Sequence, residues 1–252
     1  MRFIRDKAII IDSINVQRSD RLISFFTYNH GLVKGIAESA RQMKSRFLPC
    51  FELLNKVEIT YFYRENKDLV SIKECEVLSS LTKYGEKPEY YYFVFYIAEI
   101  AKEFALEGYK NIRLFTIVST IHNGIKENVK LRLLARWAEI QFLNEHGIFP
   151  ELTVCTLCKK DVRDARELKC ISTSGELKCV HCKNVDDSEL PHPLFLLMKK
   201  LLYATISTLK VIEIKDKELA CMGAILKLIL QNHLEKPLKF YAFHKQIHSS
   251  LG

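Results

Sequence analysis

The sequence predicts an α+β protein of more than one domain, in which a small N-terminal β-barrel precedes a helical domain with an inserted four-cysteine finger. Apolar residues alternate in strand-like runs up to about residue 80 and recur at helical spacing beyond it. Two Cys-x-x-Cys pairs interrupt the helical half. We therefore place the barrel at residues 1–80, the helical domain at 81–252 and the insertion at 150–190.

The barrel is predicted from short β-rich runs that are separated by turn signals at nearly even spacing. Asn29-His30-Gly31, Pro49 and Asn66-Lys67-Asp68 mark breaks between runs. About 80 residues suit a five-stranded OB-fold barrel better than a sandwich. The predicted strands are Lys7–Val16, Leu22–Tyr28, Leu32–Ala37, Lys56–Tyr63 and Leu69–Val77.

The helical domain is predicted to begin after Gly85 and Pro88, where the apolar period changes to that of a helix. Pro150 introduces the insertion and Pro191-His192-Pro193 ends it. An insertion of this size cannot bury a core of its own, so it needs another source of stability. The predicted helices are Tyr90–Leu106, Ile112–His122, Val129–His146, Leu194–Leu209, Glu218–Leu234 and a short one near Leu238–His248.

Four cysteines supply that stability in our interpretation. Cys155 and Cys158 form one Cys-x-x-Cys pair, Cys179 and Cys182 form the other, and twenty residues separate the pairs. Four thiolates at this spacing can close a tetrahedron around one Zn²⁺, which makes the insertion a four-cysteine zinc finger with a structural ion. Two strained disulfides or a thioredoxin-type motif are the less favoured alternatives.

Two further residues remain open as alternative ligands. Cys170 lies between the two pairs and His181 lies inside the second one. Either residue type binds zinc and could take the place of a cysteine.

Composition narrows the functional class. The chain has 252 residues, 48% of them hydrophobic, and a formal net charge of +8. A basic balance favours polyanions, and no apolar stretch reaches the roughly 20 residues that cross a bilayer. With only eight cysteines and no signal-peptide pattern at its start, the chain is expected to be a soluble protein of a reducing cytoplasm.

The best candidate for a polyanion contact is the segment from Lys34 to Arg46. Lys34, Arg41, Lys44 and Arg46 stand there against a single carboxylate, Glu38. Cations in a polar loop between strands can reach a phosphate backbone, although the same pattern is typical of a solvated loop. Among nearby aromatic residues, Tyr28 and Phe47 are predicted to be the exposed pair.

The finger itself is a poorer polyanion site. It carries six basic and four acidic side chains between Cys155 and Cys182. Zinc with four thiolates adds about two negative charges, which brings the local balance close to zero. The finger is therefore interpreted as a structural element or a partner surface.

The sequence contains no catalytic signature. Gly-x-Ser-x-Gly, a phosphate-binding glycine loop and a His-x-Glu before the second cysteine pair are all missing from it. Four sulfur ligands would also leave no coordination position for a reacting water. We therefore expect a protein that is not an enzyme, and a zinc hydrolase is the least favoured interpretation.

These features together resemble the RecO family of recombination mediators over nearly the whole chain. The resemblance is carried by Lys34-Gly35, Ala40-Arg41-x-x-Lys44-Ser45 before Pro49 and Phe51, Gly147-Ile-Phe-Pro150-Glu-Leu before the first cysteine pair, and His233-Leu-x-x-Pro-Leu-Lys239. All four paired cysteines match the family pattern. Lys159, which follows the first pair, stands where many members have glycine.

The resemblance implies a bacterial, nucleoid-associated protein that binds single- and double-stranded DNA and anneals complementary strands. It also implies partnership with RecR and the single-stranded-DNA-binding protein in loading the recombinase RecA. By the same route, Lys34, Arg41, Lys44 and Arg46 correspond to the basic barrel region linked with DNA contact. The alternative is a zinc-stabilised adaptor that binds only proteins.

Overall fold

The computed structural model describes residues 2–16, 19–42, 45, 47, 49–65, 67–85, 87–164 and 168–240. By packing, the chain divides between Lys126 and Glu127 into two compact units. The first unit contains the barrel and two helices, and the second contains the finger and the remaining helices.

The first unit is built on a closed barrel of five strands: β1 Arg2–Val16, β2 Asp20–Thr27, β3 Gly31–Ala37, β4 Lys56–Tyr63 and β5 Val70–Ser79. The strand order is β1-β2-β3-β5-β4, and β1 closes the barrel because its first half pairs with β4 while its second half pairs with β2. This Greek-key order is that of an OB-fold, so the predicted fold class of the N-terminal part is confirmed.

Alternating burial explains why these segments are strands. In β4 every second residue is buried, including Val57, Ile59 and Tyr61, while the residues between them are half-buried. Such alternation places one face of a strand in the core and the other towards solvent. The core of the barrel also includes Ile10, Ile23, Phe25, Ala37, Val70 and Ile72.

Two glycines permit close backbone approaches in the barrel. Gly35 pairs with Val70 where β3 and β5 run parallel, and a Cβ atom on it would lie 2.7 Å from the Val70 side chain. Gly31 has a φ of +67°, and a Cβ atom there would lie 2.1 Å from the carbonyl oxygen of Tyr109. Larger residues at either position would force the backbone apart.

The turn between β2 and β3 is held by a buried carboxylate. Asp6 accepts hydrogen bonds from the backbone N–H and the side-chain amide of Asn29, both at 3.0 Å, and lies 2.9 Å from Nδ1 of His30. These hydrogen bonds offset the free-energy cost of removing the Asp6 carboxylate from water. The predicted turn at residues 29–31 is therefore present and anchored to β1.

Two helices pack against β1: α1 Pro88–Phe104 and α2 Ile112–Lys126. Pro88 suits the start of α1 because its missing N–H has no partner in the first turn. The loop between them bonds to the start of β3, since the backbone N–H of Gly108 donates to the carbonyl of Leu32 at 3.0 Å. In α2, His122 is fully buried and its ring nitrogens contact the Leu54 carbonyl at 2.8 Å and the Ser79 hydroxyl at 2.9 Å.

The second unit contains the helices α3 Leu131–Glu145, α4 His192–Leu202, α5 Ile206–Lys210 and α6 Asp216–His233. The apolar face of α3 packs against α4 and α6. Trp137 of α3 is buried, and its indole N–H donates to the carbonyl of Ala204 at 3.1 Å.

The prediction of one helix over residues 194–209 is wrong. The chain leaves α4 after Leu202, and Thr205 starts α5 by accepting a hydrogen bond from the backbone N–H of Thr208 at 3.3 Å. A threonine at the N-cap starts a new helix instead of continuing the old one. Most of the last predicted helix, near Leu238–His248, lies outside the described residues.

The insertion lies between α3 and α4 and contains three short antiparallel strands: β6 Lys169–Ile171, β7 Leu177–Cys179 and β8 Ser188–Leu190, with β6 in the centre. The predicted arrangement of a barrel followed by a helical domain with a cysteine-rich insertion is thus confirmed. The boundary at residue 80 remains a proposal. In the structure α1 and α2 pack with the barrel, and the division by packing falls after Lys126.

Candidate metal centre and nucleic-acid interface

The structure brings the four paired cysteines together. The sulfur atoms of Cys155, Cys158, Cys179 and Cys182 all lie within 4.8 Å of one another. Cys155 and Cys179 are buried, Cys182 is half-buried and Cys158 is exposed. Sulfur ligands of a tetrahedral metal lie at comparable distances from one another, so this group can hold one metal ion.

The first cysteine pair is shaped by a tight turn. The backbone N–H of Cys155 donates to the Lys160 carbonyl at 2.8 Å, and the N–H of Lys159 donates to the Cys155 carbonyl at 2.9 Å. Lys159 has a φ of +61°, in the left-handed region that glycine adopts most readily. A lysine therefore makes a turn that glycine would make more easily, at a cost in backbone strain.

The turn is tied to the strand that carries the second pair. The backbone N–H of Thr156 donates to the Leu177 carbonyl at 2.8 Å, and the Thr156 hydroxyl donates to the same oxygen at 2.6 Å. Because Leu177 begins β7 and Cys179 ends it, these bonds fix the distance between the two pairs.

The acidities of the thiols favour a cation at this position. Burial raises the pKa of the Cys155 thiol, but hydrogen bonds from the backbone N–H groups of Cys158, Cys179 and Leu157 outweigh it and lower the pKa to about 6. Hydrogen bonds with Cys158 and Cys179 raise the pKa of Cys182 to about 12. Thiolates this close would repel one another, and a divalent cation bound between them would remove that repulsion.

The two alternative ligands lie outside this group as the structure describes it. Cys170 is buried in β6, and burial raises the pKa of its thiol. His181 is exposed between the two cysteines of the second pair. Within the described residues, the candidate metal site therefore consists of the four paired cysteines.

The finger also buries charged side chains. The Lys178 ammonium contacts both carboxylate oxygens of Asp187 at 3.1 and 3.3 Å, and both side chains are 4% exposed. Lys169 is fully buried, where it donates to the Asp164 carbonyl at 2.8 Å and lies 5.0 Å from the ring centroid of Phe195. Buried charges need partners of this kind, and the finger supplies them within itself and from α4.

The predicted polyanion segment is only partly described. Lys34 forms an ion pair with Glu107 on the barrel surface. Arg41 is exposed, and its backbone N–H donates to the carbonyl of Ser19, the residue before β2, at 2.9 Å. Lys44 and Arg46 lie outside the described residues.

The aromatic prediction is half right. Tyr28 is 40% exposed, and the Lys110 ammonium lies 5.5 Å from its ring centroid. Phe47 is buried instead of exposed, because its ring stacks on Phe51 in the barrel core at a centroid distance of 5.3 Å. Cys50, whose backbone N–H donates to the Phe47 carbonyl at 2.9 Å, is also buried in the barrel core.

A groove on the barrel was not predicted. It has a volume of about 750 Å³ and lies between the end of β3 and the β4–β5 loop. Its lining includes Phe62, Arg64, Lys67 and Lys73. The signal available in the sequence was the Tyr-Phe-Tyr-Arg run at the end of β4, which places aromatic and basic residues together at a loop.

The length and hydropathy of the helices bear on whether any of them could lie in a bilayer. Among the residues that the structure describes, no helix combines the length and the apolar character needed to cross a membrane.

Family models and named relatives match nearly the whole chain. The family model for the N-terminal part of recombination protein O matches residues 1–81, and the model for its C-terminal part matches residues 85–241. Proteins named DNA repair protein RecO align over nearly their full length. The one from Geobacter metallireducens is 24% identical over 247 residues, which cover 98% of this chain and 99% of the relative.

Two further relatives carry the same name. The protein from Caldicellulosiruptor saccharolyticus is 24% identical over 251 residues, 97% of this chain and 100% of its own length. The protein from Leptospira biflexa is 26% identical over 247 residues, 96% of this chain and 97% of its own length. Because the two family models together span almost the whole sequence, this chain belongs to the RecO family of DNA repair proteins.

Proposed function

We propose that this chain is a non-catalytic, DNA-binding recombination mediator of the bacterial nucleoid. In this proposal it binds single- and double-stranded DNA, anneals complementary strands and helps to load RecA together with RecR and the single-stranded-DNA-binding protein. The observation that carries the proposal is the match of both family models over nearly the whole chain, on a barrel of OB-fold topology. OB-folds commonly bind oligonucleotides.

The proposed phosphate contacts are Lys34, Arg41, Lys44 and Arg46. Arg41 supports this assignment because it is exposed while its backbone N–H is held by the Ser19 carbonyl. Lys34 would exchange its partner Glu107 for a phosphate, and an exposed ion pair of this kind contributes little stability of its own. Phosphate contacts position a protein on DNA without reading its sequence.

The proposed cofactor is one structural Zn²⁺ bound by the four paired cysteines. Four sulfur ligands suit zinc and leave no coordination position for a substrate or a water. When bound, the ion would supply a rigid centre for a segment whose strands have only three residues each. The residues around it would hold the two turns and the buried lysines in place.

In this proposal the basic side chains promote annealing by reducing the repulsion between two DNA strands. Two DNA strands repel each other through their phosphates, and cations that hold both strands close reduce that repulsion. The rate of annealing is then expected to fall steeply as salt is added. No bond in the DNA is made or broken, so no acid, base or nucleophile is required.

The salt dependence of DNA binding tests the proposal. A protein that loses one phosphate contact should lose about one unit from the slope of log K against log salt concentration. We expect Arg41→Ala to show this loss, with single- and double-stranded DNA alike. Lys87→Ala, an exposed cation at the start of α1, is the control and should keep the wild-type slope.

Two results would count against the proposal. Wild-type protein that fails to bind either DNA in dilute buffer would refute DNA binding altogether. Unchanged slopes for Arg41→Ala and for matching variants of Lys34, Lys44 and Arg46 would move the phosphate contacts elsewhere.

A protein-binding adaptor is the second candidate function. It is favoured by apolar side chains that the finger exposes around its metal site, namely Leu157 at 58%, Val180 at 43% and Val185 at 99%. Exposed apolar groups beside a rigid centre suit a protein partner better than a polyanion. A gel mobility shift with a single-stranded oligonucleotide separates the two functions, because an adaptor would leave the oligonucleotide unshifted.

A further inference from the structure

Three elements of the first unit meet at one place on the barrel surface. β4 begins at Lys56, β5 ends at Ser79 directly opposite it, and α2 ends at Lys126. The Lys126 ammonium donates to the Ser79 hydroxyl at 2.9 Å. The Lys56 ammonium donates at 2.8 Å to the side-chain oxygen of Asn123, in the last turn of α2. Two ammonium groups are therefore held in one small cluster of polar side chains.

A buried histidine fixes the Ser79 hydroxyl in this cluster. Burial is the main reason why the pKa of His122 falls to about 4, so its ring is neutral at pH 7. Nδ1 lies 2.8 Å from the Leu54 carbonyl, which only accepts, so Nδ1 carries the proton and Nε2 is an acceptor. The Ser79 hydroxyl, 2.9 Å from Nε2, therefore donates to the ring and accepts from Lys126. Neither the serine nor the histidine brings a negative charge to the lysines.

The positive charge of the cluster is not balanced by a carboxylate. In the part of the chain that the structure describes, neither Lys56 nor Lys126 forms an ion pair. Burial of Lys56, together with the charge of Lys126, lowers the pKa of Lys56 to about 8. The C-terminus of α2 offsets only about half a charge, which leaves roughly one and a half positive charges. A half-buried ammonium without a counter-charge is unfavourable, and a bound anion would relieve it.

The cluster also offers hydrogen-bond donors. An ammonium group has three N–H donors, and the contacts described above use one on each lysine. A third lysine lies nearby, since the Lys83 ammonium is 5.1 Å from the ring centroid of Tyr84, whose hydroxyl donates to the Lys126 carbonyl at 3.3 Å. A phosphate group carries up to about two negative charges and several acceptor oxygens, which suits paired ammonium groups better than a single carboxylate does.

This cluster is separate from the groove and from the proposed DNA contacts. β4 runs for eight residues from Lys56 to Tyr63, which is roughly 20–25 Å at about 3.3 Å per residue. The groove, lined by Asp20 and Phe62, lies at the far end of this strand. The backbone N–H of Arg41 bonds to the residue before Asp20. One phosphate group cannot reach both ends of β4.

We propose that Lys56 and Lys126 bind a phosphate group at this end of the barrel, with Asn123 and Ser79 holding the two ammonium groups in place. The inference does not depend on the proposed function, because free phosphate and the phosphates of a DNA backbone share the chemistry that the lysines recognise. A backbone phosphate at this position would give the barrel a contact to nucleic acid at the end remote from Arg41.

The reactivity of Lys56 tests the proposal in the wild-type, full-length protein. An N-hydroxysuccinimide acetate reacts with free amines, and peptide mass spectrometry follows each lysine at pH 8, with and without inorganic phosphate at constant ionic strength. At a pKa of about 8 about half of Lys56 is free amine. A rise of about one unit on anion binding would leave about a tenth. We expect phosphate to slow acetylation of Lys56 about fivefold and to leave Lys217, exposed on α6, unchanged.

A variant of the second lysine shows whether the pair acts together. Lys126→Gln removes one ammonium group and keeps the amine that is measured. In chloride its Lys56 should react more slowly than in wild type, because the charge that lowers the pKa is gone. Phosphate should then slow the reaction by less than about twofold. Lys217→Gln is the matched control and should keep the full effect of phosphate on Lys56. Circular dichroism confirms that both variants are folded.

Oligothymidylate in place of inorganic phosphate identifies the source of the ligand. Protection of Lys56 by oligothymidylate, with a loss of about one unit from the salt slope in Lys126→Gln, would assign the site to the DNA backbone. Protection by inorganic phosphate alone would assign it to free phosphate or a phosphorylated small molecule. Either result supports the phosphate site.

Three results would overturn the inference. Lys56 could react at the same rate in chloride, phosphate and oligothymidylate, it could be slowed no more than Lys217, or it could be fully protected in Lys126→Gln. A protein that binds DNA through Arg41 while Lys56 stays unprotected would refute this inference and keep the proposed function. Protection by phosphate in a protein that binds no DNA would do the reverse.

Discussion

The barrel and the finger solve the problem of stability in opposite ways. The barrel buries large apolar side chains such as Phe25, Ile59 and Tyr61 in a closed sheet. The finger has strands of three residues and buries lysines and cysteines instead. Small folds with too little apolar area depend on metals or cross-links, so the two regions should respond differently to the same treatment.

The largest expected difference concerns the cysteines. Cys155→Ser or Cys179→Ser should abolish metal binding and unfold the finger, because the binding free energy of structural zinc, about 10–16 kcal/mol in finger peptides, is also the folding free energy of the segment. The barrel should keep its β-sheet signal. Elemental analysis of the purified variants, together with limited proteolysis of residues 150–190, measures both effects.

The matched control for the cysteines is Cys221→Ser, which changes an exposed cysteine on α6. It should retain one equivalent of metal. A Cys155→Ser protein with full metal content and a protease-resistant finger would break the comparison between the two regions.

The next effect concerns the buried ion pair of the finger. Lys178→Met leaves the buried Asp187 carboxylate without its cation, and Asp187→Asn leaves the Lys178 ammonium with the more exposed Glu176, 4.0 Å away, as its remaining carboxylate. The loss of the buried partner is expected to cost about 3–5 kcal/mol. The double change Lys178→Met with Asp187→Leu should cost less than either single change, since no buried charge remains. Urea unfolding of the metal-bound protein gives the free energies.

An exposed pair of the same segment provides the contrast. Lys183 donates to Glu189 at 2.8 Å near the finger surface, and Lys183→Met should have little effect there. If Lys178→Met lowered the free energy of unfolding no more than Lys183→Met does, burial of the Lys178–Asp187 pair would not determine its contribution to stability.

The barrel unit is expected to lose stability at acidic pH. Burial is the main reason why the pKa of His122 falls to about 4; the nearby charges of Lys56 and Lys126 act in the same direction, and the hydrogen bond with the Leu54 carbonyl opposes them. Since the pKa in the unfolded chain is near 6.5, the neutral ring contributes fully above pH 6.5 and this contribution is lost as pH falls towards 4. The total is about 3 kcal/mol.

Urea unfolding between pH 7 and pH 4, about the range over which histidine titrates, measures this loss. His122→Gln should flatten the pH dependence, because glutamine does not titrate. His233→Gln, which changes an exposed histidine of α6, should leave the wild-type curve unchanged. A curve that is equally steep for His122→Gln would assign the acid sensitivity to other groups.

The smallest effect is expected in the turn of the first cysteine pair. Lys159→Gly should stabilise the metal-bound finger by about 0.5–1 kcal/mol, because glycine adopts the left-handed region without the steric cost that lysine has. Competition with a chromophoric chelator would detect it as tighter metal binding. Lys160→Gly changes a neighbouring residue without positive φ and should weaken metal binding slightly. If both variants bound the metal more tightly, strain at Lys159 would not explain the effect.

Local patterns made the barrel predictable. The alternation in β3 and β4 depends only on residues within each strand, and both strands were predicted to within a residue. The start of β1 was missed by five residues, because Arg2, Arg5 and Asp6 interrupt its apolar pattern. Asp6 is buried there for its bonds to Asn29 and His30, which the sequence of one strand does not reveal.

The metal site was predictable from spacing, and its surroundings were not. Two Cys-x-x-Cys pairs specify their own geometry, whereas buried Lys169 and Lys178 contradict the usual position of lysine at the surface. The break before α5 had a local signal in Thr205, which sequence reasoning overlooked. The groove depends on the pairing of Ile36 with Ser71, a register between distant strands that no local pattern specifies.

The loop between α1 and α2 decides how this protein can be divided. It bonds to Leu32 and covers Gly31, and α1 and α2 pack against β1. A fragment that stops at residue 80 would remove this support and uncover the apolar residues beneath it. A fragment that runs to Lys126 keeps every one of these contacts, and it is the better starting material for measuring what the barrel binds without the finger.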